Sequence, residues 1–130
     1  MRQRLGDQRG ATAVEFAFIV PLLIMLVLGI AEFGRAFQVQ ATLSAAAREG
    51  VRVMALQNDP AAARAAVRDA ATSLDPDIRD AQIAITPASC PITGGTTHVH
   101  LTISYSMPYL TQFFGDGIEL TGTGVMRCNG

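Results

Sequence analysis

Three groups of residues in this chain have types and spacings that could do chemistry, and the first is a pair of histidines. His98 and His100 would share one face of a β-strand, as two metal ligands often do. Two histidines are too few for a metal site, and the nearest carboxylates, Asp116 and Glu119, lie beyond a loop. We therefore expect a solvated polar strand face, with no metal ion and no cofactor.

Signs of an enzyme are equally weak elsewhere in the chain. No serine or cysteine has a recognisable base partner, and Gly94 and Gly95 are typical of a turn rather than of a phosphate-binding loop. The 130 residues suffice for one small domain, and 10 basic residues, none of them lysine, stand against 11 acidic ones. We expect no catalysis, no small-molecule substrate and no nucleic-acid partner.

The second group is a pair of cysteines, Cys90 and Cys128, and the chain has no others. In an oxidising compartment they can form a disulfide and close a long loop, which stabilises a small domain by roughly 3 to 4 kcal/mol in the loop-entropy model. The alternative is two independent thiols.

The third group, Gly10, Ala11 and Glu15, lies at the head of a long apolar run. A carboxylate in a membrane helix is unfavourable by up to roughly 2.5 to 3.5 kcal/mol at the centre, and by less near an end, so Glu15 needs a positive partner. Cleavage after Gly10 would create one, the α-amine of Ala11. The alternative is an acid tolerated at the end of an ordinary signal anchor.

The element that must position this group is a membrane helix. The run from Phe16 to Ala31 carries no charge, and extending it to residues 11–33 adds only two glutamates. A spanning helix needs about 20 apolar residues. Residues 1–10 form a basic leader that the positive-inside rule keeps in the cytoplasm, and residues 34–130 then lie outside a bacterial-type inner membrane.

The helical pattern continues beyond the membrane. One helix from Ala11 to Leu56 would be roughly 69 Å long, more than twice the hydrocarbon thickness of about 30 Å. Its outer half therefore projects from the membrane and carries a narrow apolar stripe that a compact domain must cover. This stripe consists of Val39, Leu43, Ala46, Ala47, Gly50, Val51 and Met54.

The rest of the chain predicts an α+β domain. Asp59 and Pro60 start a second, short helix that ends near Asp75-Pro76. From residue 80 onward the apolar period changes to two, which predicts a three-stranded antiparallel sheet. Its inward residues would include Ile83, Ile85, Val99, Leu101, Ile103 and Tyr105.

The third strand, Ile118 to Cys128, has the weakest pattern. Gly122 and Gly124 interrupt its alternation and indicate a bulge or a close backbone approach. In a meander the first and third strands run the same way, so Cys90 and Cys128 would meet at one end of the sheet. A disulfide is therefore plausible in this fold.

The N-terminal sequence resembles a known family. Gly10 followed by ATAVEF is similar to the class III prepilin cleavage site of type IV pilin-like proteins. The stretch RGATAVEFAFIVPLLIMLVLGIAEFGRAF, with AAREGVRV at residues 46–53, resembles the TadE-like pseudopilins of the tight-adherence (Tad/Flp) pilus system. The outer domain is similar to the family only in its general organisation.

This resemblance implies roles for single residues. A prepilin peptidase would cut between Gly10 and Ala11, and Glu15 would become residue five of the mature chain, where it sets the register of assembly. Pro21 would kink the membrane helix, which begins its uncharged run at Phe16. Further along, the resemblance places Gly29 in the helix and makes Glu32, Gly34 and Arg35 the motif that leaves the membrane.

The family implies a minor pilin or pseudopilin that primes or joins a pilus used in adhesion, and it leaves open whether the subunit lies along the filament, at its tip or in the membrane. Its partners would be the prepilin peptidase, other pilins, the Tad assembly machinery and the membrane. Subunits would pack through small residues one helical turn apart, which are Ala13 with Ala17 and Ala46 with Gly50. Glu32 also has a simpler explanation, an interface residue within reach of Arg35 at i+3.

An ordinary signal peptide is the main alternative. Gly29 and Ala31 provide small residues at minus three and minus one of a possible cut before Glu32. This cut would release a secreted binding domain, whereas an uncut signal anchor would hold the same domain on the membrane.

Two surface features leave alternatives open. Four arginines on the helices form a positive stripe for a partner subunit or pair with acids such as Glu49 and Asp69. They are Arg48, Arg52, Arg64 and Arg68. Three aromatic residues after the second strand either contact another pilin or cap the core of the sheet. They are Tyr109, Phe113 and Phe114.

Overall fold

The structure is a computed structural model in which residues 7–91 and 96–129 are described. Most of the predicted leader, and the turn predicted at Gly94 and Gly95, lie outside the described residues. The chain divides into two compact units, Met1–Gly34 and Arg35–Gly130. The described residues of the first unit belong to the long helix, and the second unit holds the rest of that helix and all other described elements.

The first helix, α1 (Asp7–Gln57), is continuous, as its alanine- and leucine-rich sequence predicts. It runs through Pro21 without a break, and the kink at this residue stays a prediction. The helix ends at Asn58, which takes the left-handed conformation with φ 51° and donates its backbone N–H to the carbonyl of Met54 at 2.9 Å. This is a common way to end a helix.

The second helix, α2 (Pro60–Ala70), starts as predicted. Asp59 is its N-cap, and one carboxylate oxygen accepts from the backbone N–H groups of Ala61 and Ala62, at 2.8 and 3.2 Å. The predicted end near Asp75-Pro76 is wrong, because the chain leaves the helix after Ala70. A tight turn then brings Leu74 into the core, where it is 6% exposed.

Three antiparallel strands form one sheet in the order β1 (Ile83–Thr86), β2 (His98–Pro108) and β3 (Gly117–Arg127). The predicted α+β class and the three-stranded meander are therefore confirmed. β1 pairs with the middle of β2 from Ile83 opposite Ile103, and β2 pairs with β3 along its whole length. Five residues of β2 face the core and are buried: Val99, Leu101, Ile103, Tyr105 and Met107.

The two glycines of β3 mark a close backbone approach. The register of β2 with β3 runs without interruption, so this strand contains no bulge. A Cβ atom added to Gly122 would lie 2.5 Å from the carbonyl oxygen of Leu43, and one added to Gly124 would lie 2.5 Å from that of Ala47. Only glycine lets the strand rest directly on the helix backbone.

The apolar stripe predicted on α1 is the centre of the core. All seven of its residues are buried under the sheet and α2. α2 contributes Ala63 and Val67, and the chain after it contributes Leu74 and Ile78. The prediction that a compact domain covers this stripe is therefore confirmed.

α1 and β3 run in the same direction across the domain. Gln40 donates its side-chain amide to the carbonyl of Thr121 at 2.8 Å, and Asn129 donates its backbone N–H to the carbonyl of Ala55 at 3.2 Å. The hairpin between β2 and β3 therefore lies at the end of the domain where α1 enters at Arg35. The end of β3, with Cys128, lies at the opposite end.

Candidate processing and assembly site

The residues predicted for processing lie at the start of α1. Gly10 and Ala11 are exposed, and Glu15 is exposed a little over one helical turn further along. A Cβ atom at Gly10 would meet no described atom within 4 Å. Both residues of the predicted bond are thus exposed, although they already belong to the helix.

The next part of α1 presents large apolar side chains on all sides. Phe16 is 65% exposed, Phe18 78% and Leu22 68%. Among the described residues, α1 is the one helix long and apolar enough to cross a membrane, with a mean hydropathy of 2.6 over its best window and no part of that window buried. Exposing this much apolar surface to water is unfavourable, at about 25 cal/mol per Å². The segment is therefore compatible with single-pass membrane anchoring.

The motif at the end of this segment contains a buried carboxylate and an arginine. Glu32 is 6% exposed, and its predicted roles stay predictions. Arg35 begins the second unit, and its Nη1 atom donates to the carbonyl oxygen of Pro108 at 2.6 Å. The guanidinium therefore holds the end of β2, a role that the spacing of Glu32 and Arg35 did not reveal.

One predicted subunit contact is wrong. Ala46 and Gly50 are buried in the core of their own domain. A Cβ atom at Gly50 would lie 2.4 Å from Val67 Cγ2 and 2.8 Å from Leu101 Cδ1. These small residues let α2 and the sheet pack closely against α1. The surface they would offer to a second subunit is therefore already covered. The other predicted pair, Ala13 and Ala17, is exposed.

Charged residues of the domain pair locally. Arg52 lies 3.7 Å from Glu49, as predicted, with both side chains about half exposed. Arg68 forms its ion pair with Asp80 rather than with the expected Asp69, because the chain after α2 folds back along the helix. Pairs this exposed contribute at most about 1 kcal/mol. Two of the four arginines are thus engaged, which weakens the positive stripe as a partner surface.

The two histidines lie on the outer face of the sheet. His98 and His100 are exposed, opposite Arg127 and Val125 of β3. The predicted solvated strand face is confirmed. In residues 7–91 and 96–129, no three or more His, Cys, Asp or Glu residues come together in a group that could hold a metal ion.

A polar cavity of about 230 Å³ lies beside Tyr105 in the second unit. Tyr105 is buried and donates its hydroxyl to the carbonyl of Pro76 at 2.9 Å. Burial raises the pKa of this phenol above its usual value of 10.0; Arg35 opposes the shift, and the negative charges of Asp75 and Asp77 add to it. Sequence analysis missed this feature, although the inward position of a tyrosine signals a buried hydroxyl that needs a partner.

The predicted disulfide is confirmed at the far end of the domain. Cys90 and Cys128 are bonded, with their Cα atoms 5.6 Å apart and a separation of 38 positions in sequence. The backbone N–H of Cys90 donates to the side-chain oxygen of Asn58 at 2.5 Å. The side chain of Asn129 donates to the carbonyl of Pro91 at 3.1 Å. The bridge thus ties the chain after β1 and the end of β3 to the end of α1.

The aromatic residues after β2 divide between the two alternatives. Tyr109 is half-buried against the core, and its ring meets that of Phe114 edge to face at 6.3 Å. Phe113 is 78% exposed and Phe114 45%. Capping of the core therefore holds for Tyr109 alone.

Comparison with known proteins finds a similarity in the first part of the chain. A family model described as TadE-like protein matches residues 10–52. Over these residues, about a third of the chain, the sequence is similar to TadE-like proteins. The match begins at the glycine of the predicted cleavage bond, includes the apolar segment and ends within the outer half of α1. Neither a curated protein nor a solved structure gives a significant match to the chain.

Proposed function

We propose that this TadE-like protein is a minor pilin that takes part in the assembly of a Tad pilus. The family match over residues 10–52 carries the proposal, because it joins the predicted processing site to the apolar part of α1. The TadE-like family is associated with the pilus as a structural component rather than as an enzyme. The contribution of this subunit would therefore be physical packing.

The proposed first step is processing in the membrane. A prepilin peptidase would cut between Gly10 and Ala11 and leave a positive α-amine on Ala11. The exposure of both residues at the start of α1 supports this assignment. Glu15 would then meet the amine of its own chain or of a neighbour, which compensates for the cost of a carboxylate in the membrane.

The proposed orientation places the domain outside the inner membrane. Three arginines in residues 1–10 favour a cytoplasmic leader. The Cys90–Cys128 bond supports an oxidising compartment for the domain, since such bonds are rare in a reducing cytoplasm. The domain would be periplasmic before assembly and exposed on the pilus after it.

In the proposed mechanism, the membrane holds the subunit until packing between helices draws it into the pilus. The large exposed side chains of α1, such as Phe18 and Leu22, are covered by lipid first and by other pilins later. Ala13 and Ala17 allow a close approach in this segment. Glu15 would set the register, because only one alignment places it beside a neighbour's amine.

The test of processing is the N-terminal residue of the protein in membranes from cells with and without a prepilin peptidase. We expect Ala11 at the terminus when the peptidase is present and the uncut chain when it is absent. Gly10→Leu should block the cut, while Gly29→Leu, on the same helix, should leave it intact. A terminus at Glu32 in the soluble fraction would establish a signal peptide instead.

The test of assembly is Glu15→Ala. We expect normal cleavage but loss of most of the protein from sheared pili, because the register contact is gone. The matched control is Glu119→Ala, which removes an exposed carboxylate from β3. The readout is the ratio of the protein in the pilus fraction to that in the membrane. Wild-type incorporation of the Glu15 variant would refute the register role.

A further inference from the structure

The hairpin between β2 and β3 carries apolar side chains that no other part of the domain covers. Within this hairpin tip, residues 109–117, Phe113 is 78% exposed, Leu110 63% and Phe114 45%. Ile118, at the start of β3, is 40% exposed. The outer face of β2 is polar in contrast, with histidine, threonine and serine side chains. One exposed large apolar side chain, Val125, lies toward the far end of the sheet, and four thus lie at the hairpin end.

This end of the sheet is the end at which α1 enters the domain. Arg35 donates to Pro108, the last residue of β2, at 2.6 Å. Arg35 follows the apolar segment by two positions, since Phe33 is its last large side chain. The hairpin tip starts one residue after Pro108. The tip is therefore anchored to the stretch of chain that emerges from the membrane.

The chemistry of the tip fits the boundary between headgroups and acyl chains. Phenylalanine and leucine are among the side chains that interfacial segments bury at this depth. The only charge in residues 109–117 is Asp116, and the tip contains no basic residue. Binding through this tip would depend on apolar insertion and not on anionic headgroups.

We propose that the hairpin tip inserts into the outer leaflet of the membrane that α1 spans, as a second and shallower membrane contact of the same chain. The inference rests on the proposed topology of the protein. Lipid is favoured over another pilin because Pro108, next to the tip, accepts a hydrogen bond from Arg35, which follows the apolar segment by only two positions in sequence. The domain would be seated on the membrane by α1 and the tip together before assembly.

The experiment uses the absence of tryptophan from the natural chain. Three full-length variants each introduce one: Phe113→Trp in the tip, Leu23→Trp in the apolar segment and Val125→Trp on β3. Each is reconstituted in phosphatidylcholine vesicles whose acyl chains are brominated either near the headgroup or near the methyl end. All three sites are exposed by half or more, so the substitutions should not disturb folding.

We expect the Leu23→Trp emission to be quenched most by bromine near the methyl end. The Phe113→Trp emission should shift to shorter wavelength and be quenched most by bromine near the headgroup, at low and at high salt alike. The Val125→Trp emission should be unaffected by either lipid, because this residue lies toward the disulfide end of β3. This pattern would support a shallow insertion of the tip.

Each result that contradicts this pattern leads to a different conclusion. If the Leu23→Trp emission is quenched but that of Phe113→Trp is not, the tip inference is wrong and the membrane anchor stands. If neither is quenched, both the anchor and the inference fail. If the Phe113→Trp emission responds only when other pilins are added to the vesicles, the tip is a pilin contact. Quenching of Phe113→Trp that is lost in salt would also overturn insertion by apolar contact.

Discussion

The two halves of α1 are both apolar, but they differ in the size and exposure of their apolar residues. In the first half, Phe18, Leu22 and Phe33 are exposed by more than two thirds. In the second half, Ala46 and Ala47 are fully buried. Large side chains present a wide surface to lipid or to other helices, whereas small ones let the backbone of the domain approach. The second half of α1 is therefore buried by its own domain, and the first half is not.

The glycines of α1 sharpen this comparison. A Cβ atom at Gly29, in the first half, would meet no described atom within 4 Å, whereas one at Gly50 would collide with Val67 and Leu101. Packing of the domain therefore requires glycine in the second half of the helix. No contact in the described chain requires it in the first half.

The largest expected effect is a loss of domain stability that leaves the apolar segment of α1 unchanged. Cys128→Ser opens a loop that spans 38 positions, and the loop-entropy model predicts a loss of about 4 kcal/mol in the free energy of unfolding of the domain. The measurement is urea unfolding of the full chain in detergent, followed by tyrosine fluorescence for the domain and by circular dichroism for the helix. Ser89→Ala, at an exposed neighbour of Cys90, is the control.

The helical signal of the first half should survive at urea concentrations that unfold the variant domain. Simultaneous loss of both signals would show that the two halves depend on one another. The comparison between them would then break down.

A smaller change in domain stability is expected when one glycine in each half of α1 is replaced by valine. Gly50→Val places two methyl groups against Val67 and Leu101, and overpacking of this kind destabilises a core by about 2 kcal/mol. Gly29→Val should leave the unfolding of the domain unchanged. Both are measured by the same urea titration with tyrosine fluorescence. Equal stability of the two variants would mean that Gly50 is not a packing requirement.

The smallest expected effect is a loss of stability of the domain at alkaline pH. The pKa of Tyr105 is raised in the folded state by burial, so the folded chain holds the phenol proton more tightly than the unfolded chain does. The stabilisation is complete below the usual pKa of 10.0 and is lost as pH rises through the raised value. The slope from this one group should be at most about 1.4 kcal/mol per pH unit.

Tyr105→Phe should lose about 1 kcal/mol near neutral pH, because the bond to the Pro76 carbonyl is gone, and it should remove this alkaline decline. Tyr109→Phe is the control and should keep the decline. Urea unfolding at a series of pH values measures both. A decline that persists in the Tyr105 variant would assign it to another group.

The elements of the domain were predictable because their signals are local. The period of the apolar residues on α1 and β2, the cap at Asp59 and the two cysteines each depend on a few neighbouring residues or on composition. The glycines of β3 were ambiguous, because a bulge and a close approach require the same residue. The register of β2 with β3 is uninterrupted, and a Cβ atom at either glycine would collide with the carbonyl of Leu43 or Ala47. The structure therefore shows a close approach and not a bulge.

The errors arose where partners are distant in sequence. Arg68 pairs with Asp80 and not with Asp69, because the chain turns back after Ala70. Ala46 and Gly50 have the spacing of a contact between subunits, but α2 and the sheet occupy that surface. Spacing shows that small residues share a face of a helix, and it does not show which partner lies on that face.

The amino-acid sequence by itself determined the apolar segment of α1, the stripe beyond it and the motif around Gly10, because length, period and residue type are properties of the chain. The tertiary structure decided which small residues are already used, that Arg35 holds the end of β2 and that Phe113 remains exposed. These outcomes depend on contacts between residues far apart in sequence. Such contacts exist only after the sheet has settled on the helix.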